Sequence, residues 1–268
     1  MVALPDTKTL QLEFDGGWLT IWFNTPENRN ALSSELCAEL LAVLNQVRGE
    51  TKVRGITLRG KNATFCSGGD LKEFSAAFHA NAETADIVKK SNMKGGELFS
   101  TIDTMPQVVL ALIEGVAIAG GLGMACCADV VFVTEDAKFS LTETQLGIVP
   151  AQIAPYIAQR LGYTTARKLM LTGANFSGKE SKALGLADEV ASDATTLKNL
   201  EIELKSSVKK CAPMANSKTK ALLKESQIRA PDELRTYAAD VFTSCMVSEE
   251  GREGISAFIE KRKPRWAI

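Results

Sequence analysis

Apolar and polar residues alternate over Thr9–Phe14 and again over Leu19–Phe23, on either side of Asp15-Gly16-Gly17, which predicts a two-stranded hairpin. The period then changes. Across Ser33–Arg48, Leu36, Leu40, Leu41, Leu44 and Val47 recur at helical spacing behind a serine cap, with Glu35 in the first turn. Val53–Arg59 reads as a short strand leading into Phe65-Cys66-Ser67-Gly68-Gly69-Asp70, a glycine turn whose Asp70 is placed to cap a helix through Phe74. His79–Lys94 is polar and poorly periodic, so it is expected to be the mobile stretch. The next helix is predicted over Glu97–Thr104, ending before Pro106.

A strand is predicted over Val108–Ile113. The segment Glu114–Asp129 follows, apolar but rich in glycine, with a helix starting at Gly120. Strands are expected at Val130–Thr134 and Lys138–Leu141, helices at Pro155–Gly162 and Thr164–Thr172 with Gly173 as a stop, and a short helix at Lys179–Gly185 before strand Ala187–Val190. From about Leu197 onward the pattern is helical. No linker or low-complexity run interrupts the chain. Recurrent strand–turn–helix units followed by a helical tail indicate an α/β fold, divided here as a core over 1–196 and a helical region over 197–268.

The 268 residues carry a net charge of −1, which gives no support for nucleic acid as a main partner. Six cysteines (Cys37, Cys66, Cys126, Cys127, Cys211 and Cys245) show no CxxC spacing and read as free thiols in a reducing compartment, with Cys126 and Cys127 packed in a helix. The N-terminal residues lack the basic stretch and apolar core of a secretion signal, so a cytoplasmic protein is expected. Val108–Val133 is apolar, but Glu114, Asp129 and the glycines within it argue for a buried strand and helix over a membrane span.

The chemistry is narrowed by what is missing. The only histidine, His79, sits in the polar stretch without a motif, so a nucleophilic triad lacks its base. No zinc ligand set, Walker pattern or dinucleotide fingerprint is present, and no metal or separate cofactor is expected. The two glycine turns remain, each able to offer a bare backbone N–H near a helix start. One acid also stands out. Glu143 lies in Phe139–Pro150 among mostly apolar or uncharged neighbours, where partial desolvation would raise its pKa toward that of a general base. The alternative is a surface glutamate flanking a helix.

Together these segments resemble the enoyl-CoA hydratase/isomerase (crotonase) family. Phe65–Lys72 is similar to its first oxyanion turn, Gly115–Gly121 to its second, Phe139–Pro150 to the segment bearing a catalytic Glu, and Glu253–Arg262 to its closing helix. The resemblance implies a spiral of ββα units with a C-terminal helical trimerisation region, assembled as a homotrimer or dimer of trimers. It implies that Gly69 and Gly120 N–H groups hold a thioester oxygen while Glu143 moves protons. Arg29, with Ala31 in Asn30-Ala31-Leu32, would line the coenzyme A, and Ser67, Asp70, Leu71 and Lys72 would extend that surface. Phe258 and Lys261 would reach a neighbouring subunit's coenzyme A, which is here part of the substrate.

Two departures narrow the reading. Two-carboxylate hydratases of the family carry a Glu three residues after the second oxyanion glycine; this chain has Gly123, and Glu114 and Glu97 are the acids considered as replacements. Pro150-Ala151-Gln152-Ile153-Ala154-Pro155-Tyr156 replaces the family's glycine-rich stretch, and with Gly123 it is similar to a subgroup hydrating branched glutaconyl-CoA esters in leucine or acyclic-terpene breakdown. Gln152 would meet a polar substrate group or pack at a helix start. The expected activity is that of a lyase, hydrating a 2-enoyl-CoA. The alternatives are 3,2-enoyl-CoA isomerisation and a non-catalytic paralogue binding CoA esters or RNA.

Overall fold

A computed structural model describes residues 2–78 and 84–267. Strands β1 (Leu10–Asp15) and β2 (Trp18–Phe23) pair antiparallel across Gly16 and Gly17, both at positive φ. From β2 the sheet runs parallel through β3 (Gly55–Gly60), β4 (Val108–Ile113), β6 (Val130–Thr134) and β9 (Glu189–Ala191). Its central strands read as unbroken apolar runs because both faces are covered. Val109, Ala111 and Ile113 of β4 enter the main core with α1 (Ser34–Val47), α3 (Thr84–Asp103) and α4 (Gly120–Cys127), while Leu110 and Leu112 face α8 (Ala194–Lys209). Alternate residues thus serve opposite layers.

A second, smaller sheet pairs β5 (Val116–Ile118) parallel with β7 (Lys138–Ser140), and β7 antiparallel with β8 (Phe176–Ser177). The remaining helices are α2 (Leu71–Phe78), α5 (Ala154–Leu161), α6 (Tyr163–Thr172), α7 (Gly178–Ser181), α9 (Pro213–Glu225), α10 (Pro231–Met246) and α11 (Glu249–Ile259). The fold is the mixed α/β arrangement expected from the sequence.

The differences are local. Helix α3 begins at Thr84, not at Glu97, because its first turns are exposed all round and carry no apolar stripe for a pattern to register. Residues 84–94 of the supposed mobile stretch are therefore helical, and His79 lies outside the described residues. Helix α2 runs on to Phe78, beyond the expected Phe74. A division at residue 197 falls inside α8, whose Leu197 and Val208 pack on the second face of the sheet; the helices beyond it begin at Pro213. Arg54, just before β3, ties that region down by donating to the Val208, Lys209 and Cys211 carbonyls at the end of α8 and to Trp266 O.

All six cysteines are free, and burial pushes the Cys66 and Cys126 thiols up to about 12. These two buried thiols pack in the core. Among the described residues there is no cluster of metal ligands, and no helix is long and apolar enough to cross a membrane.

Candidate active site

The first glycine turn is shaped by what precedes it. A side chain at Gly60 would collide with the Thr64 carbonyl, so the chain can fold back directly after β3. Asn30, fully buried at positive φ, holds that return: its Oδ1 accepts from Thr25 N–H at 2.9 Å and its Nδ2 donates to Thr64 O at 2.6 Å. Phe65 and Cys66 N–H then both donate to Val116 O at 3.0 Å, and Cys66 O accepts from Ile118 N–H at 3.0 Å. A short parallel bridge between Cys66 and Ala117 thereby ties the turn to β5, and Leu32 N–H donates to Gly68 O at 2.8 Å from the other side.

The second turn meets the first edge to edge. Ala119, with φ 51 and ψ −116, adopts a backbone conformation that L-residues rarely take, and its N–H is anchored on Ser140 O at 2.9 Å. That bend starts α4 at Gly120. Contact between the turns is close enough to need glycine: a Cβ at Gly121 would lie 2.7 Å from Cys66 O, and one at Gly68 would lie 3.1 Å from Ala119 Cβ. Neither the Gly69 nor the Gly120 N–H meets an acceptor among the described residues. Gly120 N–H is one of the donors a helix start leaves without an internal partner, at the positive end of its dipole.

Glu143 reaches the same neighbourhood through the small sheet. Ile118 pairs with Ser140, so the strand bearing Ser140 runs beside the second turn and delivers Glu143 three residues on, at the head of a 3-10 turn over Glu143–Leu146. Its residue is 9% exposed and its Oε2 is buried without a hydrogen-bond partner. Burial raises its pKa above the ordinary carboxyl value, with a backbone hydrogen bond opposing in part. If this carboxylate is the working base, activity falls on acidification as it takes up a proton. The acid limb of a kcat/KM–pH profile is then expected above the ~4.3 of an exposed Glu, and it should vanish in Glu143→Gln.

The place a second acid would take is shut. A Cβ at Gly123 would collide with Ile153 Cγ2 and lie 3.3 Å from Phe99 Cε1, and both of those side chains are buried. Of the two acids considered as replacements, Glu114 is paired with Arg59 and Glu97 is exposed on α3. Gly123→Glu is expected to overpack this site, costing about 1–3 kcal/mol of stability before any charge burial is counted. A chemical denaturation curve should show that loss, and turnover should not rise.

The other expected residues divide between the surroundings of the first turn and more distant elements. Arg29 is exposed and left-handed, its carbonyl accepting from Ser67 N–H at 3.2 Å, and Ala31 is buried beside it. Asp70 caps α2, its Oδ1 accepting from Lys72 N–H at 2.9 Å, while the Leu71 and Lys72 side chains are exposed at the edge of the first turn. The Gln152 side chain faces α3, donating to Asn92 Oδ1 at 2.7 Å and covering Gly96. Phe258 and Lys261 are not brought to the glycine turns of the same chain. They belong to α11 and the segment after it, and Trp266 of that segment docks on Arg54, before β3, whereas the first turn follows the far end of that strand. Roughly 20 Å of strand separates the two ends.

The clamp made by Asn30 and the bend at Ala119 were missed from sequence. Asn30 counted as lining, and only its place between a turn and a helix cap could have hinted at a buried side chain. Nothing local marks Ala119.

Known proteins are similar to this chain in sequence and fold. The structure of Pseudomonas aeruginosa AtuE superposes with TM-score 0.94 at 43% identity, covering 97% of this chain and 100% of that one. A Thermus thermophilus protein named as an enoyl-CoA hydratase is 33% identical over 92% of this chain and 96% of its own length. The peroxisomal Delta(3,5)-Delta(2,4)-dienoyl-CoA isomerase of Arabidopsis thaliana is 30% identical over 99% of both. The sequence model of the enoyl-CoA hydratase/isomerase family matches residues 13–267, so both turns, Glu143 and the C-terminal helices fall inside it, and the chain belongs to that family.

Proposed function

We propose that this protein hydrates a 2-enoyl-CoA, with Gly69 and Gly120 N–H as the oxyanion donors and Glu143 as the proton-transfer group. The observation that carries this reading is the contact of two glycine turns whose amides lack acceptors, together with a buried carboxylate, its Oε2 unpartnered, three residues after the strand paired with the second turn. The thioester oxygen accepts from both amides, which makes C3 electrophilic and stores the developing charge as an enolate. Glu143 takes a proton from water as the water oxygen bonds to C3, and returns a proton to C2 on the same face.

With Gly123 closed off, a single acid serves both transfers. That closure, with the Pro150–Tyr156 segment, supports a branched or glutaconyl-type ester as substrate. The large exposure of Phe258, 85%, and its distance from the glycine turns of its own chain support an assembly in which α11 serves a neighbouring subunit's ester.

The second reading is 3,2-enoyl-CoA isomerisation, favoured by the same closure, since moving a proton between C2 and C4 needs only one carboxylate. Separate incubations with a 2-enoyl-CoA and a 3-enoyl-CoA decide between them. The hydratase forms 3-hydroxyacyl-CoA directly from the first; the isomerase leaves it unhydrated and converts the second to the conjugated ester. A protein that turns over neither and instead retains RNA in a salt-sensitive manner would belong to the non-catalytic alternative.

A further inference from the structure

Helix α4 begins at Gly120, and its next residue on the same face is Gly123, about 4.5 Å further along the axis. Side chains on a helix lean toward its N-terminus, so whatever fills the space over Gly123 stands beside the first-turn amides. Ile153 and Phe99 fill it. Phe99 touches both places, its Cζ lying 3.7 Å from a Cβ built at Gly120 and its Cε1 3.3 Å from one at Gly123. Leu32 completes this apolar surface, 2.6 Å from the Gly120 position. An acyl chain leaving a carbonyl held at Gly120 meets these side chains within a few carbons.

The position of Ile153 has its own support. Gln152, its neighbour, donates to Asn92 Oδ1 at 2.7 Å, and its Oε1 occupies the space a side chain at Gly96 would need. The amide pair fastens the start of α5 to α3, which also carries Phe99. Beyond the core packing that both side chains share, this contact ties the two halves of the apolar surface to each other.

We propose that Ile153 and Phe99 form the wall that sets the size of acyl group accepted, and that Gln152 is a positioning residue acting through Asn92 rather than by touching substrate. This deepens the function proposed above and rests on its placement of the thioester at Gly120. Saturated thioesters report on the wall without turnover. Dissociation constants for butyryl-CoA, isovaleryl-CoA and octanoyl-CoA, measured by calorimetry on the full-length protein, give a selectivity ratio for each bulkier ester over butyryl-CoA.

In Ile153→Ala that ratio is expected to shift toward the bulkier esters by about tenfold, the scale of one or two methylene groups in an apolar pocket. Ile153→Val, which keeps most of the core packing, should shift it in the same direction by less. Asn92→Ala and Gln152→Ala should each move the ratio, and the double variant should move it no further than either alone. Unchanged ratios in both Ile153 variants overturn the wall while leaving the thioester site intact. A ratio moved by Gln152→Ala but not by Asn92→Ala overturns the positioning role. Failure of the wild-type protein to bind any of the three esters overturns the underlying reading and the wall with it.

Discussion

Replacing Glu143 with Gln is expected to lower turnover of the enoyl-CoA substrate by about 10²- to 10⁴-fold, the range for a positioned general acid–base group. CoA-ester affinity should stay near its wild-type value, because the amide keeps the shape of the carboxylate and the thioester oxygen is held elsewhere. The same variant should be more stable than the wild type at neutral pH. Glu143 is buried with an unpartnered Oε2 and a raised pKa, so the folded state binds its proton more tightly than the unfolded chain does. Stability from this group is fully present below the carboxyl pKa of the unfolded chain and is lost as pH rises through the folded-state value. Gln carries no such penalty. Its advantage in Tm is thus expected at neutral pH and should disappear in acid. Lost activity together with gained stability would mark Glu143 as a residue kept for chemistry at the expense of the fold.

Gly121→Ala should do comparable damage without touching a group that moves protons. The added methyl would sit 2.7 Å from Cys66 O and 2.8 Å from Cys66 Cβ, between the two turns. Cys66 O is the acceptor for Ile118 N–H, so separating it from Gly121 also strains the bridge that keeps Gly69 in register with Gly120. Loss of one well-aimed oxyanion donor costs about 3–4 kcal/mol of transition-state stabilisation, or about 10²–10³ in kcat. Overpacking adds a stability loss of about 1–3 kcal/mol. A kcat deficit measured well below the variant's melting range separates the two effects, and an unimpaired kcat would show that the spacing of the turns is not what matters.

Much of this was legible in the linear sequence, and the parts that were not have a common cause. Patterns of apolar residues are local: periodicity marked β2 and α1, which bury a face of their own residues, and an unbroken apolar run marked β4, which is covered on both faces. The exposed start of α3 has no such face, and β8, two residues long, is too short to carry any pattern. The two glycine turns could be picked out because glycine marks close backbone approach. Their mutual contact depends on β5 pairing with both Cys66 and β7, which no local window contains. Gly123 was visible as the loss of an acid. That Ile153, thirty positions later, fills the gap follows from α5 packing on α4, a tertiary fact. Asn30 shows the reverse error: a polar residue taken as lining proves fully buried, because satisfying two backbone groups of a tight return needs a side-chain amide.

The most direct measurement is a crystal structure with acetoacetyl-CoA bound. Its thioester oxygen is expected within about 2.7–3.1 Å of both Gly69 N and Gly120 N, with the Glu143 carboxylate against C2 and C3 of the acyl group. A thioester oxygen held by one of those amides alone, or an acyl group lying away from Glu143, would contradict the account.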